Sequence, residues 1–277
     1  MTHRIIETPF ADIALWDTGG TGPAVLLLHG NSSCKEIFRG QFDARLTNDP
    51  RLIAMDLPGH GGSSDARDPA ATYTLAGYGA AALAVLAALN VSRAAVFGWS
   101  LGGHVALDMV SRFPGLRGVM ISGTPPIANG GFAEGFRQST HMGLAGAQAW
   151  SEADTEAYAR ATAGAGAPFE PFLLEAARRT HGVARETFFA DALSGRADDQ
   201  RRIAETAAVP LAVINGAEDE FINADYFGQV AWANLWDGRV HSLAGLGHAP
   251  FWQAPERFNP LFERFIIETA ITTGTTA

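Results

Sequence analysis

Residues 98–103 read Gly98-Trp99-Ser100-Leu101-Gly102-Gly103, a G-x-S-x-G that closes an apolar run at 94–97 and opens a helix-like stretch at 101–112. That local order restricts the fold more than any other stretch of the chain. A serine held between two glycines needs a strand that turns sharply into a helix, with no room for side chains at Gly98 or Gly102. The helix N-terminus beneath the serine then offers unpaired N–H groups and a positive dipole end. The bland alternative is a glycine-rich turn with an incidental serine, and the strand and helix flanks argue against it.

The rest of the chain repeats the strand-then-helix rhythm. Short apolar runs at 13–16, 24–28, 52–55, 94–97 and 119–122 end in turn residues, as expected of strands covered on both faces. Helical stretches at 75–89 and 101–112 lie between them. Strands alternating with helices predict a mostly parallel central sheet flanked by helices, an α/β class. The rhythm breaks after Thr124-Pro125-Pro126. From 127 to 206 no strand is expected, and Ala, Glu, Arg and Phe predominate, with an apolar set that includes Phe132, Phe136, Met142, Leu144, Trp150, Phe169, Phe172, Phe188 and Phe189. Strand-like runs return at 211–215 and 240–243, a helix is expected near 255–269, and residues 272–277 read as a frayed end. The predicted organisation is a core made of residues 1–126 and 207–277 and a helical cap at 127–206. An insertion after a central strand would sit over the carboxyl ends of the strands, where open α/β sheets bind ligands.

Bulk properties narrow the function. The 277 residues carry a formal net charge of −9 with no Lys/Arg cluster, which argues against nucleic acid or an anionic membrane as partner. The apolar stretch at 79–91 is too short to span a bilayer. The N-terminus lacks the apolar segment of a secretory signal, and Cys34 has no second cysteine to pair with. A cytoplasmic protein, monomeric by default, is expected. There is no H-x-H-x-D-H, no H-E-x-x-H and no G-x-G-x-x-G after the first strand, so neither a metal nor any other cofactor is called for.

A serine hydroxyl becomes a nucleophile only when a base takes its proton. His248, in the glycine-rich Gly245-Leu246-Gly247-His248-Ala249-Pro250 after the last expected strand, stands where the base belongs in the chain order nucleophile, acid, histidine. His241 lies within that strand and reads as a packed residue, while His104 and His181 are out of position for the base. The acid is expected in the loop after 211–215, which reads Gly216-Ala217-Glu218-Asp219-Glu220-Phe221. Chemistry alone does not choose among three adjacent carboxylates, and spacing from Gly216 favours Asp219. The loop after 119–122 offers none. Two N–H donors are needed for a tetrahedral intermediate: Leu101 supplies one, and the His29-Gly30-Asn31-Ser32-Ser33 loop supplies Asn31 as the other. Trp99 and Phe221, beside the nucleophile and the acid, are candidate substrate contacts. His29 reads as structural and Cys34 as a packing residue. Asp56-Leu57-Pro58-Gly59-His60-Gly61-Gly62-Ser63-Ser64 reads as a scaffolding turn, with His60 or Ser63 as possible pocket residues.

These segments together resemble the α/β-hydrolase superfamily. Val96-Phe97-Gly98-Trp99-Ser100, Ser122-Gly123-Thr124-Pro125-Pro126, Ala157-Tyr158-Ala159-Arg160, Val213-Ile214-Asn215-Gly216 and Asn234-Leu235-Trp236-Asp237-Gly238 resemble, more narrowly, its metal-independent N-acyl-homoserine lactone hydrolases, the quorum-quenching lactonases. The resemblance implies an α/β-hydrolase fold with an inserted cap. It also implies opening of the homoserine lactone ring by Ser100, His248 and the acid, with substrate contacts from Asn31 and the cap tyrosine Tyr158. The family acid at this loop position is similar to a glutamate, whereas this chain has Asp219 between Glu218 and Glu220. The expected partner is therefore a small acyl lactone or ester. A general carboxylesterase with the same triad is the first rival, and a ligand receptor on the same scaffold is the rival from another class. A cofactor-free dioxygenase is a remoter one. Epoxide hydrolases and haloalkane dehalogenases are disfavoured because both need an aspartate where Ser100 stands.

Overall fold

The computed structural model describes residues 1–271, so the expected fraying at 272–277 falls outside the described residues. Its strands are β1 (Thr2–Glu7), β2 (Asp12–Asp17), β3 (Ala24–Leu28), β4 (Arg51–Met55), β5 (Ala94–Trp99), β6 (Leu116–Ser122), β7 (Leu211–Gly216) and β8 (His241–Leu243). They form one sheet in the spatial order β1-β2-β4-β3-β5-β6-β7-β8. From β4 across to β8 every pairing is parallel, while β1 and β2 add an antiparallel edge. Each expected strand is present, and β5 and β6 extend beyond the runs that announced them. β1 was not expected. Its Thr-His-Arg-Ile-Ile-Glu is almost wholly exposed, so it shows no buried face to produce an apolar alternation, and it is held by register pairs to β2.

The apolar runs are continuous because the sheet is covered on both sides. Along β3, Leu26 and Leu28 enter one core and Val25 and Leu27 the other, and the same split divides Val96 from Phe97 and Val119 from Met120. The first core is closed by α3 (Leu75–Ala88) and α4 (Leu101–Arg112), which follow the short α1 (Arg39–Phe42) and α2 (Pro69–Thr72). The second is closed by α11 (Pro250–Gln253) and α12 (Pro255–Ile271), through Phe251, Phe258, Phe262 and Phe265. Each of these buried phenylalanines contributes about 2–3 kcal/mol of apolar burial. Together they hold α11 and α12 against β5 and β6.

Between β6 and β7 the regular elements are helical: α5 (Phe132–Gly135), α6 (Thr140–Leu144), α7 (Glu152–Ala163), α8 (Pro171–Arg179), α9 (Gly182–Leu193) and α10 (Gln200–Thr206). Of these, α7 begins with a reciprocal cap in which Ser151 and Asp154 satisfy each other's backbone N–H. The chain leaves β3 toward β4 on one side and returns to place β5 on the other. The carboxyl ends of β3 and β5 therefore flank the switch point of the sheet, where the loop 29–33 and Ser100 emerge. No described helix is long and apolar enough to cross a membrane.

Candidate active site

Ser100 follows β5 with φ 52° and ψ −118°, a conformation that costs a non-glycine residue about 1–3 kcal/mol. Its surroundings impose that shape. Ser100 N donates to Ser122 O at 2.8 Å, Thr124 Oγ1 donates to Ser100 O at 3.0 Å, and the N–H groups of Gly103 and His104 close on the same carbonyl. A Cβ at Gly98 would lie 2.2 Å from Gly102 O, and one at Gly102 would lie 2.1 Å from Leu28 O. Both glycines of the motif are thus required by backbone contact. The serine is lifted over the sheet end, at the first turn of α4.

His248 and Asp219 form a buried pair, His248 Nδ1 donating to Asp219 Oδ2 at 2.7 Å. Asp219 Oδ1 accepts the Phe221 N–H at 2.8 Å, which anchors the second oxygen of the carboxylate. The loops that carry the two residues are zipped together by Ala217 N to Leu243 O and Glu218 N to Leu246 O. This geometry separates the three acids: Asp219 is 3% exposed, while Glu218 and Glu220 face solvent and Glu220 pairs with His141. Gly123 has a use the sequence did not reveal. A Cβ there would fall 2.6 Å from His248 Cε1, so the glycine after β6 makes room for the ring.

His29 accepts the Leu57 N–H on Nε2 and so donates from Nδ1 to Gly30 O, which fixes the loop that presents Asn31. Asn31 Nδ2 donates to Ala145 O at 2.8 Å and reaches the Tyr158 hydroxyl at 3.4 Å. Among the described residues, no acceptor occupies the backbone N–H of Asn31 or Leu101. Tyr158 is buried on α7 with Trp150 on its ring, and burial raises its hydroxyl pKa to about 12, so it stays neutral.

Ser100, His248, Asn31, Leu101, Tyr158 and Phe221 all line one cavity beneath the helices that join β6 to β7. Its free space, open mouth included, is about 800 Å³. Phe132, Phe136, Phe188 and Phe189 line it too, whereas Phe172 meets Trp252 edge to face and packs with the second core. Trp99 is not a cavity residue. It alternates with Phe97 onto the α12 side of the sheet, is fully buried, and donates from Nε1 to His248 O at 2.8 Å. Its place is under the histidine loop rather than against a ligand. His60 and Ser63 are buried away from the cavity as well. Ser63 joins β2 to the Asp56 turn, and Asp56 itself is held by Lys35 and by Gly62 N. His104, out of position for the base, and Gln200, which no motif marks, both line the cavity. One signal was available: His104 lies four residues after Ser100, on the same face of α4.

Residues 25–261 match the alpha/beta hydrolase family. The N-acyl homoserine lactonase AidH, solved with N-butanoyl homoserine, is 41% identical, with 100% of this chain and 99% of that one covered and a TM-score of 0.95. A Ser-to-Gly variant of AidH was solved with N-hexanoyl homoserine lactone and a Glu-to-Gly variant with N-hexanoyl homoserine, at 42% and 41% identity. The esterase RhEst1 from Rhodococcus sp. is 25% identical over 97% of this chain and all of that one, with a TM-score of 0.77. A 2-succinyl-6-hydroxy-2,4-cyclohexadiene-1-carboxylate synthase from Klebsiella pneumoniae is 36% identical over 138 residues, 49% of this chain. The curated relatives are matched over only part of their length, 50% for that synthase and 27% for the mycobacterial proteins. The chain belongs to the alpha/beta hydrolase family.

Proposed function

We propose that this enzyme opens the lactone ring of N-acyl-homoserine lactones, giving N-acyl-homoserines, with Ser100 as nucleophile, His248 as base and Asp219 as orienting acid. The observation that carries the reading is the convergence of a strained Ser100 and the buried His248–Asp219 pair on one aromatic-walled cavity. Likeness to AidH along the whole chain supports the narrower substrate class, since its Ser-to-Gly variant holds an intact lactone and its Glu-to-Gly variant a ring-opened product.

Ser100 Oγ bonds to the lactone carbonyl carbon while its proton passes to His248 Nε2, and Asp219 stabilises the imidazolium that results. The N–H groups of Asn31 and Leu101 meet the oxyanion. Among the described residues none is hydrogen-bonded to Ser100 Oγ, and its contact with His248 tightens when substrate fills the cavity. The ring C–O bond then breaks, and His248 returns the proton to the departing alkoxide. That alkoxide stays tethered to the acyl-enzyme, so its protonation prevents re-closure. A water deprotonated by His248 attacks the acyl-enzyme and frees Ser100. Asn31, Tyr158 and Phe221 surround the lactone head, and the four phenylalanines accept the acyl tail. The reading takes the enzyme to be cytoplasmic.

A general carboxylesterase is the second reading, favoured by the likeness to RhEst1. The deciding experiment follows acid release by wild type and Ser100→Ala, offered hexanoyl and decanoyl homoserine lactones beside p-nitrophenyl butyrate. Lactone opening that survives a chelator, exceeds ester turnover and vanishes in Ser100→Ala supports the lactonase. Ester cleavage with negligible lactone opening overturns it.

A further inference from the structure

His104 occupies the cavity wall one helical turn beyond Ser100, its ring beside Phe136 with centroids 5.7 Å apart. Gln200, the first residue of α10, grips it twice. Gln200 Nε2 donates to the His104 carbonyl at 3.1 Å, and Oε1 lies 2.6 Å from His104 Nδ1. A carbonyl oxygen only accepts, so the first bond fixes which way the amide faces. Oε1 also only accepts, so Nδ1 must carry the hydrogen. Burial lowers the pKa of this histidine to about 4, and the ring is neutral at pH 7. A neutral ring protonated on Nδ1 has a lone pair on Nε2, and among the described residues no group donates to it. The neighbouring phenylalanine side chains have no donor to offer. His104 is half-buried and lines the cavity, so this acceptor is open to a donor on a ligand bound there.

The proposed lactonase reading, on which this inference rests, suggests what meets it. Four residues of helix separate His104 from Ser100 by roughly 6 Å, and five bonds of an extended substrate, from the lactone carbonyl carbon to C3 of the acyl chain, cover about the same distance. We propose that His104, held as its Nδ1–H tautomer by Gln200, determines acyl-chain specificity by accepting a hydrogen bond from a hydroxyl near C3. The preferred substrate class is therefore 3-hydroxyacyl-homoserine lactones. A 3-oxo group brings an oxygen lone pair against the Nε2 lone pair and is disfavoured, and an unsubstituted chain leaves the acceptor dry.

The test measures binding by calorimetry to the Ser100→Ala protein, which separates recognition from turnover. The ligands are N-(3-hydroxyoctanoyl), N-octanoyl and N-(3-oxooctanoyl) homoserine lactone. One added hydrogen bond predicts that the hydroxy ligand binds about three- to tenfold tighter than the octanoyl one, with the oxo ligand weakest. Adding His104→Leu brings the hydroxy and octanoyl affinities together. Gln200→Glu puts a carboxylate against Nδ1, favours the imidazolium and makes Nε2 a donor, so the order moves toward the oxo ligand. Equal affinities for the three ligands overturn the inference, as does a ratio that His104→Leu leaves intact. A uniform loss for all three in His104→Leu also overturns it, because the partner would then be the amide N–H they share. Wild-type turnover of octanoyl homoserine lactone, run in parallel, distinguishes the failures. If no lactone is bound or opened, the lactonase reading itself falls.

Discussion

Replacing Asp219 with asparagine tests the assignment of the acid with the least disturbance to the fold. The asparagine Oδ1 can still accept the Phe221 N–H, a bond of 2.8 Å in the parent, so the loop keeps its anchor and stability should stay within about 1 kcal/mol. What changes is the group 2.7 Å from His248 Nδ1. An amide NH2 donates, which turns the imidazole to the tautomer with hydrogen on Nε2, the nitrogen that must accept the Ser100 proton. The imidazolium formed during attack also loses its neighbouring anion. Comparable replacements in serine hydrolases lower kcat on the order of 10⁴-fold, about 5 kcal/mol of barrier. Glu218→Gln and Glu220→Gln, both at exposed positions, should stay within about twofold. The assay is acid release from hexanoyl homoserine lactone at weakly buffered neutral pH, with thermal unfolding of each variant as the control for folding. A drop of less than tenfold in Asp219→Asn, or a larger drop in either glutamine variant, would refute the assignment.

Other perturbations act on the scaffold and the cavity. Gly102→Ala places a Cβ 2.1 Å from the backbone oxygen of Leu28 and should cost more than the about 1–3 kcal/mol usual for overpacking. Gly143→Ala, with nothing within 4 Å of its added Cβ, should be neutral or stabilising by up to about 1 kcal/mol; urea unfolding of the pair checks both. Tyr158→Phe removes the hydroxyl from the cavity at the expense of one long, weak bond to Asn31, so kcat/KM for lactones should fall about three- to thirtyfold with little change in melting temperature. Burial also lowers the pKa values of His29, His60 and His104. A histidine whose folded pKa lies below its unfolded value of about 6.5 contributes stability that is complete above 6.5 and declines as pH falls, for His104 down to about 4. Urea midpoints should therefore drop between pH 7 and pH 5, and a flat profile there would show that these histidines are not held neutral.

What could be read from the sequence divides along physical lines. The elbow around Ser100 is specified by contacts between residues a few positions apart, so Gly98, Ser100 and Gly102 announce it locally. The strands beneath it carry their signal in long apolar runs, because both faces are buried. β1 has neither property and stayed hidden. Asp219 was only weakly distinguished from its two neighbours in the sequence, since three adjacent carboxylates differ in direction and not in chemistry; in the fold it is the buried one of the three, set between the Phe221 N–H and the His248 ring. Trp99 was misassigned for a reason that strand alternation could have caught, as it shares a face with Phe97 and not with the cavity. The His104–Gln200 pair lies beyond either kind of signal, because it joins residues 96 apart across the helices between β6 and β7. This is the general case for specificity in such a site. The nucleophile, base and acid sit on loops whose positions follow from the sheet, whereas the walls that tell one acyl chain from another come from packing between distant segments. Chemistry is therefore legible from short motifs and substrate choice is not, so a residue such as His104 emerges only when the contacts around the cavity are followed one hydrogen bond at a time.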